Sequence, residues 1–135
     1  MCEILFRGKR VDNGEWVEGN LFIPDIEDTP TQICIGTNVI RITYDVIPET
    51  IGQYTGLTDK NGTKIFEDDI VKVTDDNGET NLCSCGIGDV CFYDGSWYIG
   101  GEVNDGLYDV KNIYYIEVIG NIHDNPELLK EREGK

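Results

Sequence analysis

Basic residues are scarce in this chain. Eleven Lys and Arg stand against 26 Asp and Glu, a formal net charge of −15 at neutral pH. Non-specific nucleic-acid binding rests on cations laid along phosphates, so direct binding to DNA or RNA is disfavoured. Such a charge serves solubility first; it also suits attraction of a basic partner or a cation, or imitation of a nucleic acid. Histidine occurs once, as His123, and serine only as Ser84 and Ser96. A Ser-His-Asp relay would need those residues, and neither serine stands in a G-x-S-x-G elbow. Phosphate-binding loops ending in Gly-Lys-Ser/Thr and dinucleotide fingerprints are missing too. No apolar run approaches the ~20 residues of a membrane-spanning helix. Near the start, Arg7, Lys9 and Arg10 lead into turn residues and not into an apolar leader segment. A cytoplasmic, reduced protein with no membrane association is therefore expected. Long helical patterns are lacking as well, which argues against a parallel sheet covered by helices on both faces.

Turn residues are plentiful. The chain carries 16 Gly but only 4 Pro, a composition for many tight turns and not for a disordered linker. Ile4 to Arg10 and Trp16 to Ile23 flank Asp12-Asn13-Gly14 and predict an opening hairpin. Trp16 is expected to pack in or rim the core. Pro24 to Thr31 is an acidic loop, read as solvated. Gln32 to Ile35 and Val39 to Ile47 predict a second hairpin, in which Ile40, Ile42 and Tyr44 alternate with Arg41, Thr43 and Asp45 as in a one-sided strand.

Gln53 to Val73, QYTGLTDKNGTKIFEDDIVKV, is the centre of the pattern. Asn61-Gly62 signals a hairpin with a type I′ turn. Glu67-Asp68-Asp69 is a charged bend before Ile70, with one carboxylate capping local N–H groups. Asp94-Gly95 predicts another primed turn before Trp97 to Ile99. Asn112 to Ile119 predicts a strand. Helix is expected only from Pro126 onward, with Asn125 as its cap. Strand, Asn-Gly or Asp-Gly turn, strand is the recurring unit, which favours an antiparallel meander or small barrel. Residues 1–50 form an N-terminal β region, a candidate subdomain or oligomerisation region, and 51–135 form the barrel region.

Cys83, Cys85 and Cys91 are the sharpest chemical cluster. With His123, Cys2 or Cys34 they would complete a structural zinc site. The C-x-C-x5-C spacing lacks paired knuckles, and the acidic neighbourhood disfavours thiolates. Reduced thiols without metal are the preferred reading. Asp75 to Glu79 offers oxygen ligands but misses the EF-hand register. Tyr93, Trp97, Tyr98, Tyr108, Tyr114 and Tyr115 are interleaved with Asp, Glu and Gly, which fits a sheet core or a protein interface better than base stacking. No catalytic, cofactor-binding or metal residue is assigned, and no cofactor is expected.

QYTGLTDKNGTKIFEDDIVKV resembles the signature of the YopX-like phage proteins. Ile4 to Trp16 is similar to their opening strand and turn, and Val118 to Leu129 to their closing motif. Asp75 to Gly88 departs from the pattern as an inserted acidic, cysteine-bearing loop. The resemblance implies a mainly β protein with a small antiparallel SH3-like barrel and a short C-terminal helix, encoded by phages or prophages and able to form oligomers. It brings no catalytic residues. The expectation is a noncatalytic accessory protein that binds a protein partner or itself. Alternatives are an acidic nucleic-acid mimic that occupies a host DNA- or RNA-binding protein, and a small metal-stabilised or hydrolytic protein.

Overall fold

The computed structural model describes residues 4–24, 30–36, 41–75 and 85–129. Two compact units divide the chain, Met1–Gly56 and Leu57–Lys135.

The first unit opens on the expected hairpin. β1 (Phe6–Lys9) runs antiparallel to β2 (Trp16–Phe22), with Lys9 opposite Trp16. Gly14 turns the chain at a φ of 74°, which suits a residue without a Cβ. β3 (Gln32–Gly36) and β4 (Arg41–Asp45) form the second hairpin, and β5 (Gly52–Thr58) enters beside β1. The strand order is β4-β3-β2-β1-β5. Burial centres on Ile33 and Val46. The alternation along β4 does not bury one whole face. Ile42 is 52% exposed on the strand that ends the strand order, whereas Tyr44 two residues on is partly covered by Arg10.

In the second unit β5 turns into β6 (Lys64–Phe66), followed by β7 (Asp69–Thr74), β8 (Gly86–Tyr93), β9 (Ser96–Ile99) and β10 (Asp105–Gly106). α1 (Leu107–Ile113) and β11 (Tyr115–Asn121) complete it. The antiparallel order is β10-β9-β8-β7-β11. Ile65, Val71, Val73, Val90, Ile99 and Ile116 make the core with Leu107 and Val110 of α1. Each such side chain contributes about 1.5–3 kcal/mol when removed from water.

The expected SH3-like barrel is not formed; neither antiparallel sheet closes. At the end of β4 a single bridge, Arg10↔Val46, ties back to the residue after β1, without a ladder that would close the sheet. At β11 the outward backbone groups are met by a loop. Lys60 N–H donates to the Ile116 carbonyl at 2.9 Å, and the Asp59 carboxylate accepts the Val118 N–H at 2.9 Å. Edge groups satisfied in this way need no closing strand.

Helix placement also differs. A helical turn does begin at 127–129, but the principal helix is α1, which the sequence reading leaves unassigned. Leu107 and Val110, three apart on one helix face, are both buried. That burial overrides the β propensity of Ile113, so the strand starts at Tyr115. At Asn61-Gly62 the turn is not type I′. Gly62 alone of Lys60 to Gly62 has positive φ, 84°. Gly62 N–H reaches the Asp59 carbonyl at 3.0 Å and Asp59 N–H the Thr63 carbonyl at 2.8 Å, the pattern of a three-residue loop ending in a left-handed glycine. Asp59 decides this, because its Oδ1 accepts both the Asn61 and Thr63 N–H groups at 2.9 Å.

Candidate protein-interaction surface

The β8–β9 hairpin ends in the predicted primed turn. Asp94 and Gly95 both take positive φ, 52° and 85°, between the opposed residues Tyr93 and Ser96. Type I′ geometry matches the strand twist and keeps the register. Phe92 lies opposite Trp97, their rings edge-to-face with centroids 5.2 Å apart. On the other face Tyr93 and Tyr98 meet at 5.3 Å. Trp97 and Tyr98 are half-buried, whereas Phe92 is 59% and Tyr93 63% exposed. The tip thus presents aromatic rings on both faces, each braced by a second ring. Aromatic side chains of this kind bring large apolar area at low entropic cost to an interface.

Tyr93 shares its face with Cys91 and Asp89, because alternate residues of a strand point the same way. The opposed pair Cys91↔Tyr98 places Tyr98 there too. Glu67 and Asp68 form the bend before β7. Asp68 takes a φ of 73° and donates its N–H to the Val90 carbonyl at 2.7 Å, which pins the bend against β8. Burial pushes the Cys91 thiol up, and Asp89, Asp68 and Glu67 push it further. Aromatic rings and carboxylates therefore occupy one strip. The third acid of the bend, Asp69, is buried and accepts the Phe66 N–H at 2.8 Å, the local cap expected of this bend.

Among the described residues, two concavities lie away from this strip. A cleft of about 500 Å³ is lined by Asp59, Lys60 and Lys111 to Ile116. Lys111 is turned back to the Thr58 carbonyl at 2.7 Å. Asp59 is structural: burial pushes its carboxyl up, but N–H donors from Val118, Thr63 and Asn61, with Lys111, outweigh this and hold it below its ordinary value. A hollow of about 350 Å³ in the first unit is lined by Arg10 to Asp12 and Thr43 to Asp45. There Arg10 stacks over Tyr44 at 4.5 Å and pairs with Asp12. Trp16 is half-buried and carries Arg7 over its ring at 4.6 Å, so it rims the unit.

The cysteine cluster is only partly within view. Cys2 and Cys83 lie outside the described residues, as does most of the Asp75 to Gly88 insertion. Cys85 is buried and Cys91 half-buried, and both are thiols without a disulfide. His123 faces Asp68, with Nε2 3.2 Å from its Oδ2. Among the described residues no three His, Cys, Asp or Glu side chains converge as a metal site requires. Ser96 stands at the hairpin turn. Phe92 is the surface residue that the sequence reading misses; its position just before Tyr93-Asp94-Gly95, at the end of a strand, is the available signal.

A family model described as YopX protein matches residues 5–130. Among solved structures, the crystal structure of protein EF1440 from Enterococcus faecalis is similar. It is 28% identical, the match covers 96% of this chain and 99% of that one, and the TM-score is 0.58. No curated protein matches the chain.

Proposed function

The chain belongs to the YopX protein family, and from that premise we propose that it is a noncatalytic phage or prophage accessory protein that works by binding another protein in the bacterial cytoplasm. The observation that carries this reading is the braced aromatic tip, with Phe92 and Tyr93 both more than half exposed at the end of a fixed hairpin. Rigid exposed aromatics lose little entropy on docking, and they are the residue types that anchor interfaces. The chemistry of the one thiol in the same strip supports a noncatalytic role. Burial and the neighbouring carboxylates hold Cys91 toward the neutral thiol. A neutral thiol is a weak nucleophile.

Affinity capture from bacterial cells, with quantitative comparison of wild type and a Phe92→Ser/Tyr93→Ser variant, tests the proposal. The variant's melting curve is measured alongside, since these side chains are exposed and their loss should leave the fold intact. A partner lost on substitution supports the reading. An unchanged set of partners from a folded variant defeats it. Light scattering on the purified protein separates a foreign partner from a second copy, because self-assembly would exceed the 15.2 kDa chain mass.

A further inference from the structure

The aromatic tip does not stand alone. Its Tyr93 face continues into Asp89 along β8, and the Glu67-Asp68 bend is pinned beside the same strand by the Asp68 to Val90 hydrogen bond. Tyr93 and Tyr98 incline to one another at 50°, so their π faces do not stack flat against each other. Tyr98 is held in place by its hydroxyl, which donates to Asn104 Oδ1 at 2.6 Å. Lys72, on the same face nearer the sheet edge, is opposite Glu117 of β11. An apolar ring pair beside carboxylates repels an anionic partner and leaves a wholly apolar partner facing charge. A planar cation is complementary to both parts. Its face stacks on a tyrosine, and its edge donates to carboxylates. The chain's net charge of −15 adds long-range attraction for a basic segment and raises its encounter rate.

We propose that this face of the second unit docks an extended, arginine-bearing segment of a protein partner, with a guanidinium seated between the Tyr93–Tyr98 pair and the carboxylates of Asp89 and Glu67, the Asp68 carboxylate being held by His123. The inference rests on the protein-binding reading above and gives that partner its chemistry. Arginine fits better than lysine, since only the guanidinium offers a planar face and a fork of donors together. Nucleic acid is the wrong occupant, because its phosphates would meet these carboxylates.

The probe is an N-acetylated, C-amidated hexapeptide alternating glycine and arginine, titrated into the ¹⁵N-labelled full chain. Its counterpart carries citrulline, which keeps the shape and removes the charge. Chemical-shift changes are expected at β8, β9 and the bend before β7, with the citrulline peptide giving none. Tyr93→Ser and the Asp89→Asn/Glu67→Gln pair should each weaken binding by roughly threefold to tenfold. Glu18→Gln, an exposed acid on β2, should leave it unchanged. No shifts at millimolar peptide, or shifts spread over the acidic surface and equally sensitive to Glu18→Gln, would overturn the inference. The captured cellular partner separates the two levels of the argument. A partner lost with Phe92→Ser/Tyr93→Ser but retained by Asp89→Asn/Glu67→Gln in the same buffer keeps the interface and removes the arginine. A partner indifferent to both variants removes both.

Discussion

The Asp59 carboxylate accepts the Val118 backbone N–H at 2.9 Å, so a side chain from a turn stands where a neighbouring strand would pair. The other oxygen of the same carboxylate holds the Asn61 and Thr63 N–H groups. One buried aspartate thus shapes the Lys60 to Gly62 loop and covers the edge of β11. Asp59→Ala would leave three N–H groups short of an acceptor. A donor shielded from water and left unmade costs about 1–3 kcal/mol, but Asn61 and Thr63 are exposed, so water takes over much of the carboxylate's role there. We expect a loss of about 2 kcal/mol, and a smaller loss for Asp59→Asn, which keeps one carbonyl oxygen. Chemical denaturation of the full chain is the measurement. A midpoint unchanged by Asp59→Ala would remove this residue from the account of why the sheet stays open.

The same carboxylate sets an acid limit. Its folded value lies below the ordinary 3.8, so the unfolded chain takes up a proton first as pH falls. The unfolded state then binds more protons, and stability rises with pH through this window. The contribution is complete above the ordinary aspartate value and is lost as pH falls through the lower, folded one. Wild type should therefore lose stability below about pH 4 more steeply than Asp59→Asn, whose side chain does not titrate. Melting temperatures of both proteins from pH 6 down to pH 2.5 would show the difference (the interval being about the ordinary carboxylate range and just below it). Parallel curves would refute the assignment.

Two glycines predict different costs for the same substitution. Gly62 has a φ of 84° and no heavy atom within 4 Å of where a Cβ would stand. Gly62→Ala meets backbone strain alone, about 1–2 kcal/mol. At Gly88 an added Cβ would overlap the Gly100 carbonyl oxygen and lie 2.9 Å from Ile99 Cγ2. Backbone does not yield as a flexible side chain does, so Gly88→Ala should cost more than about 3 kcal/mol or prevent folding. Equal denaturation midpoints for the two variants would contradict this ordering.

What the sequence makes legible follows the range of the forces involved. Asp94-Gly95 is readable because positive φ at two successive positions is a local demand, and Asp-Gly meets it locally. Asn61-Gly62 carries the same signal yet folds differently, because Asp59 draws the Asn61 N–H to its own carboxylate. Val118, 59 residues away in sequence, donates to the other oxygen of the same carboxylate, a contact that the local sequence does not announce. α1 is hidden for a similar reason. Its seven residues include only Leu107 and Val110 as fully buried anchors, and their value depends on a core assembled from distant strands. The open sheets were obscured by turn rhythm, which counts strands but is silent on what meets the last edge. In the candidate interface, Tyr93, Trp97 and Tyr98 are visible as an aromatic cluster. Which ring faces solvent depends on where β8 leaves the core, and Phe92 passes that point only in three dimensions.

The final prediction concerns Cys91, which lies in the strip between Asp89 and Tyr93. Burial is the largest influence on its thiol, and Asp89, Asp68 and Glu67 add repulsion against the thiolate. All of these raise its ionisation point, so at neutral pH the reactive thiolate fraction is below that of an ordinary cysteine. In a background where the other cysteines are replaced by serine, exchange with an aromatic disulfide reagent should be slower than for a short cysteine peptide at the same pH. Asp89→Asn removes one repulsive charge without changing the size of the side chain, and should speed the reaction by roughly two- to fivefold. Added salt should narrow the gap between the two proteins, since it screens the charges but leaves burial untouched. The unfolded control in denaturant should react alike for both. Rapid exchange in the folded wild type, or a rate indifferent to Asp89, would mean that the carboxylates do not act together at this strand, and the charged half of the proposed docking face would lose its physical basis.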